Sequence, residues 1–145
     1  MMIIGRVERL NFLDFDILNV PAKIDTGADS CSVWASNIKM TDNKLSFVLF
    51  DKKSKYYKGV SFTTNKFKTI HIRNSFGHVQ ERYKVKLLVS LGDQSISVDF
   101  TLADRSNNKY PALIGRNLLN NRYKVDVAKK NVHFIKARSK LSRDK

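Results

Sequence analysis

An all-β closed barrel with one short helix is the fold that this sequence predicts, and three observations predict it. Apolar and polar residues alternate with period two through Tyr83, Val85, Leu87, Val89 and Leu91, and again through Ile96, Val98, Phe100 and Leu102. Turn formers punctuate the chain at short spacing, at Asn74-Ser75-Phe76-Gly77-His78 and at Gly92-Asp93. The one stretch suited to a helix, Asn117 to Arg122, is long enough for a turn or two only. Period two is the signature of half-buried strands, and many short strands with a single helix fit a barrel. A chain of 145 residues suits one domain burying roughly 68–70% of its unfolded surface. We place that domain at residues 1–136 and read 137–145, charged and without apolar period, as a basic disordered tail.

In chain order, Met2 to Phe12 reads as a strand, with Ile4, Arg6 and Glu8 on one parity and Gly5 marking a bulge. Asn19-Val20-Pro21 suggests a strand start or edge, because Pro has no amide to give a ladder, and it leads into Ala22-Lys23-Ile24-Asp25. Ser32 to Ala35 restarts an extended run, with Trp34 a core or pocket-wall residue near Asp25. Leu45–Phe50 and Phe67–Ile72 read as strands separated by the charged Asp51–Lys55. The Asn74–His78 tip then joins two β-rich arms. Pro111-Ala112-Leu113-Ile114-Gly115 is a buried strand ending in a Gly at a close backbone approach, and Tyr123–Val127 with Val132–Ile135 closes the sheet.

The charge is lopsided: 27 Lys and Arg against 13 Asp and Glu, a net +14, which favours an anionic partner. Acidic peptide, nucleic acid and a ribosome surface all qualify. The single Cys31 permits no internal disulfide and fits a reducing compartment. His71, His78 and His133 are scattered, with no His-Glu-x-x-His and no Cys-x-x-Cys, so we expect no metal and no cofactor. With no apolar stretch of signal-peptide or membrane-spanning length at the start, a cytoplasmic protein without a membrane partner is expected.

The chemistry centres on Asp25-Thr26-Gly27. An apolar run delivers one carboxylate into a tight turn, where Thr26 offers a hydroxyl and Gly27 lets backbone amides approach the acid. About ninety residues later comes Pro111-Ala112-Leu113-Ile114-Gly115-Arg116-Asn117-Leu118-Leu119. This pair of motifs resembles the retropepsin family of aspartic proteases. With Gly77-His78-Val79-Gln80-Glu81-Arg82-Tyr83, Thr101-Leu102-Ala103-Asp104-Arg105 and Arg122-Tyr123-Lys124-Val125-Asp126, the likeness narrows to the bacterial retropepsin-like family often labelled "ATP-dependent zinc protease". One member of that family is encoded beside the ligase that adds glutamates to a ribosomal protein. The likeness spans roughly residues 3 to 135. Where that family usually has Ala-Arg-Thr-Ser after the Asp-Thr-Gly, this chain has Ala28-Asp29-Ser30-Cys31, nearer the retroviral pattern.

The resemblance implies a retropepsin-like barrel in which Asp25, Thr26 and Gly27 are catalytic and Gly115, Arg116 and Asn117 support them from behind, Arg116 pairing with Asp29. It makes the Asn74–His78 hairpin a flap, so Gly77, His78, Glu81, Arg82 and Tyr83, together with Ala28, Asp29 and Trp34, become substrate-binding candidates. Aspartic-protease chemistry needs two carboxylates sharing one proton, and this chain holds one Asp-Thr-Gly. The implied enzyme is therefore a homodimeric aspartic endopeptidase, aimed by its positive field at acidic, glutamate-containing peptides. The competing reading is a non-enzymatic ribosome- or nucleic-acid-binding module on the same frame. Against it, no RNA- or DNA-binding motif is present and the lysines are not interleaved with aromatics.

Overall fold

The structure, a computed structural model, describes residues 1–133. Its strands are β1 (Met2–Ile4), β2 (Val7–Phe12), β3 (Ile17–Ile24), β4 (Cys31–Thr41), β5 (Lys44–Leu49), β6 (Ser61–Thr64), β7 (Lys68–Arg73), β8 (Val79–Leu91), β9 (Gln94–Ala103), β10 (Ala112–Ile114) and β11 (Tyr123–Val125), and a short α-helix, α1 (Arg116–Leu119), follows β10. The order β10-β3-β2-β8-β9-β4 returns to β10, closing a six-stranded barrel. The β3–β10 and β4–β9 pairs are parallel and the other barrel pairs antiparallel. Closure removes the sheet edges that an open array would expose. Outside the barrel, β5 and β6 extend the sheet from β4, and β7 runs beside the outer half of β8.

The alternation in β8 and β9 works as the sequence predicts: Val85, Leu87, Val89, Leu91, Ile96, Val98, Phe100 and Leu102 are all buried. Phe12 sits between Phe50 and Phe100, with ring centroids 5.8 and 5.6 Å away, and burying rings of this size is worth roughly 1.5–3 kcal/mol each. A second aromatic group, Phe15, Phe47 and Phe62, packs under the β5–β6 extension.

Several expectations are corrected. Gly5 is not a bulge but a break between β1 and β2. A Cβ there would lie 2.3 Å from the Lys129 carbonyl oxygen, so the chain needs Gly for another strand of backbone to cross. The bulge lies between Leu10 and Phe12. The break also undoes the expected shared face, since Ile4 and Glu8 are buried while Arg6 is exposed. Pro21 lies inside β3, which starts at Ile17; opposite Pro21 only β2 pairs, because β10 joins from Ala22 onward. The missing amide therefore breaks no ladder bond.

Strand β6 escaped the sequence reading, its Ser and Thr residues giving no apolar period. Tyr123–Val127 shortens to β11, which pairs in parallel with β1 as a separate two-stranded ribbon. Val132 and His133 are not in a strand; the rest of that expected strand and the basic tail lie outside the described residues. Among the described residues, no helix is long and apolar enough to cross a membrane.

Candidate active site

Asp25 follows the last residue of β3, where the parallel neighbour β10 ends as well. Its amide donates to the Ile114 carbonyl at 2.9 Å, extending the β3–β10 ladder by one step. Its carboxylate Oδ1 accepts the Gly27 amide at 2.9 Å. A Cβ on Gly27 would sit 3.3 Å from that oxygen, so a side chain would crowd the acid. The Ala28 amide donates to the Asp25 carbonyl at 3.3 Å, closing the turn. Asp25 is half-buried, while Thr26 and Gly27 are exposed in the single chain.

The later motif laces this turn from behind. The Arg116 amide donates to Ala28 O at 2.8 Å and the Asn117 amide to Asp29 O at 3.1 Å. Arg116 Nη1 donates to Thr26 O at 3.2 Å, and Nη2 bonds the Asp29 carboxylate. The expected Arg116–Asp29 pair thus forms, and it lies at the surface: the two side chains are 52% and 87% exposed. Gly115 is where the crossing is tightest, since a Cβ would lie 2.4 Å from Ser30 O and 2.9 Å from Ala28 O.

Asn117 does more than the sequence suggested. Its Oδ1 accepts from the amide and the thiol of Cys31, both at 3.1 Å, and its Nδ2 donates to Asp99 O at 2.9 Å. The Cys31 sulfur in turn accepts the Gly115 amide at 3.4 Å. Burial pushes the thiol up to about 11, against the smaller opposing pull of the backbone amides of Gly115 and Leu118. A thiol held neutral is no nucleophile at ordinary pH, so Cys31 serves as a clip between β4 and the α1 turn.

The hairpin candidates sit elsewhere in the single chain. Gly77 adopts φ +83, the left-handed turn geometry that Gly tolerates. Asn74 Oδ1 accepts the Phe76 and His78 amides, each at 3.0 Å. Glu81 pairs with His71 across the β7–β8 ladder at 3.4 Å, Arg82 donates to Gln80 at 3.3 Å, and Tyr83 meets Phe67 edge-on at 5.9 Å. Glu81, Arg82 and Tyr83 line a concavity of ≈ 340 Å³ with Ile38 and Asp104. Trp34 belongs to the opposite end of β10: its amide bonds Pro111 O at 2.9 Å, so within one chain it does not join Asp25.

Two residues were missed. Lys84, two positions beyond Arg82 on the same face of β8, donates from Nζ to Ser30 Oγ at 3.0 Å and ties the hairpin strand to the Asp25 turn. The alternation of Lys84 with Val85 was legible, but its partner across the barrel was not. Glu8, wholly buried, accepts the amides of Gly5 at 2.8 Å, Val132 at 3.2 Å and His133 at 3.5 Å. It organises the crossing behind β1 rather than the site. Among the described residues, no group of three or more His, Cys, Asp or Glu is placed to hold a metal ion.

A closed mixed barrel presenting an Asp-Thr-Gly acid on a turn laced by a Gly-Arg-Asn element defines an aspartic peptidase of the retropepsin kind. The comparisons with known proteins agree. Residues 3–136 match the RimB-like family, "Retropepsin-like aspartic endopeptidase RimB", and the chain belongs to that family. It is 28% identical to the solved protein Lpg0085 of Legionella pneumophila, a protein of unknown function (DUF785). That likeness has a TM-score of 0.72 and covers 91% of this chain and 98% of the other. It is also 27% identical over 128 residues to a "Probable alpha-L-glutamate ligase" of Shewanella halifaxensis and to another of Shewanella pealeana. Those matches cover 86% of this chain but 28% of each relative, so the chain spans little more than a quarter of their length.

Proposed function

We propose that two copies of this chain form an aspartic endopeptidase acting on acidic, glutamate-containing peptides, such as the glutamylated tail of a ribosomal protein. The laced turn carries the reading: one half-buried carboxylate per chain, oriented by Gly27 and Ile114, with Thr26 and Gly27 uncovered beside it. Two-fold pairing at that surface supplies the second acid. The ionised Asp25 takes a proton from water as its oxygen attacks the peptide carbonyl carbon, and the protonated Asp25 gives its proton to the carbonyl oxygen. Collapse of the resulting gem-diol breaks the C–N bond, with a proton passing to the departing amine.

The acidic preference draws support from the net charge of +14 and from Lys84 and Arg116 beside the turn. It is also supported by the presence of a stretch like this one within longer chains named for alpha-L-glutamate ligase. The test uses Asp25→Asn, nearly isosteric and expected to lower cleavage of an oligo-glutamate peptide by at least about 10³-fold, in the range of lost general acid–base catalysis. Titrated into wild type, the variant should depress activity more than dilution does, because each mixed dimer lacks one acid. Activity of Asp25→Asn near wild type would reject the mechanism. A neutral peptide cut as well as the acidic one at low salt would reject the substrate class.

A further inference from the structure

A concavity of ≈ 290 Å³ opens beside Pro21 of β3 and Pro111 at the start of β10, and the catalytic reading makes no use of it. Its lining includes Arg9, Trp34, Lys55, Tyr56, Arg105 and Lys109, four cations around two aromatic walls. Among the described residues, no carboxylate side chain lines it.

Long-range contacts build this place. Phe50 is buried with φ +65, a left-handed conformation that costs a bulky residue on the order of 1–2 kcal/mol. Its amide bonds Trp34 O at 2.7 Å and its carbonyl accepts Ser36 Oγ at 2.7 Å. That sharp exit from β5 swings Ser54, Lys55 and Tyr56 against β2 and β4. Arg9 holds the far side, donating to Asn19 O at 3.3 Å and Tyr56 Oη at 3.5 Å. Arg105 is anchored through Nε to Tyr110 O at 3.0 Å, and burial pulls its pKa down, though a guanidinium keeps its charge. Lys55 and Lys109 are exposed and form no ion pair among the described residues; each lies over the ring beside it in sequence, Tyr56 at 5.3 Å and Tyr110 at 5.5 Å.

We infer that this basic concavity binds a carboxylate-rich peptide segment, holding the acidic part of a substrate whose other part reaches Asp25. The inference rests on the acidic-peptide reading above and adds a second site to it. The path between the sites is on the strand itself. Pro21 lines the concavity, Lys23 is exposed, and Asp25 is the next residue of that outward parity, while Ala22 and Ile24 point into the core. Four residues of strand cover about 13 Å at roughly 3.3 Å each, so about four extended substrate residues separate the anchored carboxylates from the bond at Asp25. A peptide is favoured over nucleic acid because one of the two rings, Tyr56, already carries Lys55, so no pair of open rings is left for successive bases to stack on.

Binding, read apart from cleavage, tests the inference. A fluorescein-labelled octa-glutamate is titrated into full-length Asp25→Asn by anisotropy, and then into the same protein carrying Lys55→Gln and Lys109→Gln. Affinity should fall about tenfold, as expected for two charge-assisted contacts at partly exposed sites. A control with Lys44→Gln and Lys66→Gln, equal in charge and away from the concavity, should lose less than about twofold. Equal loss in both variants would mean a diffuse field and overturn the site. Displacement by octa-uridylate at lower concentration than by unlabelled octa-glutamate would overturn the ligand class. Wild type that binds octa-glutamate here without cutting it would refute the peptidase reading and leave this site standing.

Discussion

Two tight turns, Thr26–Ala28 and Asn74–His78, look alike in sequence, both short, polar and carrying a Gly. They are held in opposite ways. The first is fixed by atoms about ninety residues away, through Ile114, Arg116 and Asn117. The second is fixed by Asn74 alone, within four residues, and its Phe76 is 84% exposed. A turn that must aim a carboxylate is anchored to the barrel, whereas one suited to covering a ligand carries its own structure and leaves its surface free.

The largest test of that difference is steric. Gly115→Ala must push apart backbone 2.4 Å away at Ser30, and should destabilise the protein by about 3 kcal/mol, with cleavage lost in parallel; urea unfolding checks the first and peptide hydrolysis the second. An unchanged denaturation midpoint would show that the turn is not pinned there.

Next in size is the pH dependence of the anchored end. The folded thiol of Cys31 is raised from 9.0 to about 11, so the fold favours the protonated form. Its contribution is complete below pH 9 and disappears as pH rises towards 11, reaching on the order of 2 kcal/mol. Tyr123, raised by burial to about 12, acts in the same direction slightly higher. Urea midpoints should fall from pH 8 to 10.5 in wild type and fall less in Cys31→Ala. Equal falls would remove Cys31 from the account.

Gly77→Ala probes the other turn. No atom lies within 4 Å of the added Cβ, so only the backbone strain at φ +83 remains, about 1 kcal/mol. Melting should fall by only about 3–4 °C while KM for peptide rises; a destabilisation as large as that of Gly115→Ala would erase the contrast.

The smallest stability change is expected at Arg116→Ala. Both partners of its ion pair are largely exposed, so the loss should stay within about 1 kcal/mol, close to that of Lys53→Ala by thermal unfolding. Cleavage should nevertheless fall, because the Thr26 carbonyl loses its donor. Wild-type cleavage by the variant would show that this lacing is dispensable.

Local pattern by itself determined the long strands β8 and β9, the hairpin tip, the short helix and the Asp25 turn, and the resemblance to a known family supplied that turn's distant Gly-Arg-Asn partner. Period-two alternation and turn chemistry are properties of neighbouring residues, and motif order survives without coordinates. Tertiary structure alone decided what touches across the barrel: that Gly5 makes room for Lys129 backbone, that Glu8 is buried under amides from Val132 and His133, and that Lys84 reaches Ser30. It also separated Trp34 from Asp25 despite nine positions of sequence, because β10 runs between their ends, from Pro111 to Ile114. Such contacts depend on strand register and closure, which bring together residues whose own neighbours carry no record of the meeting.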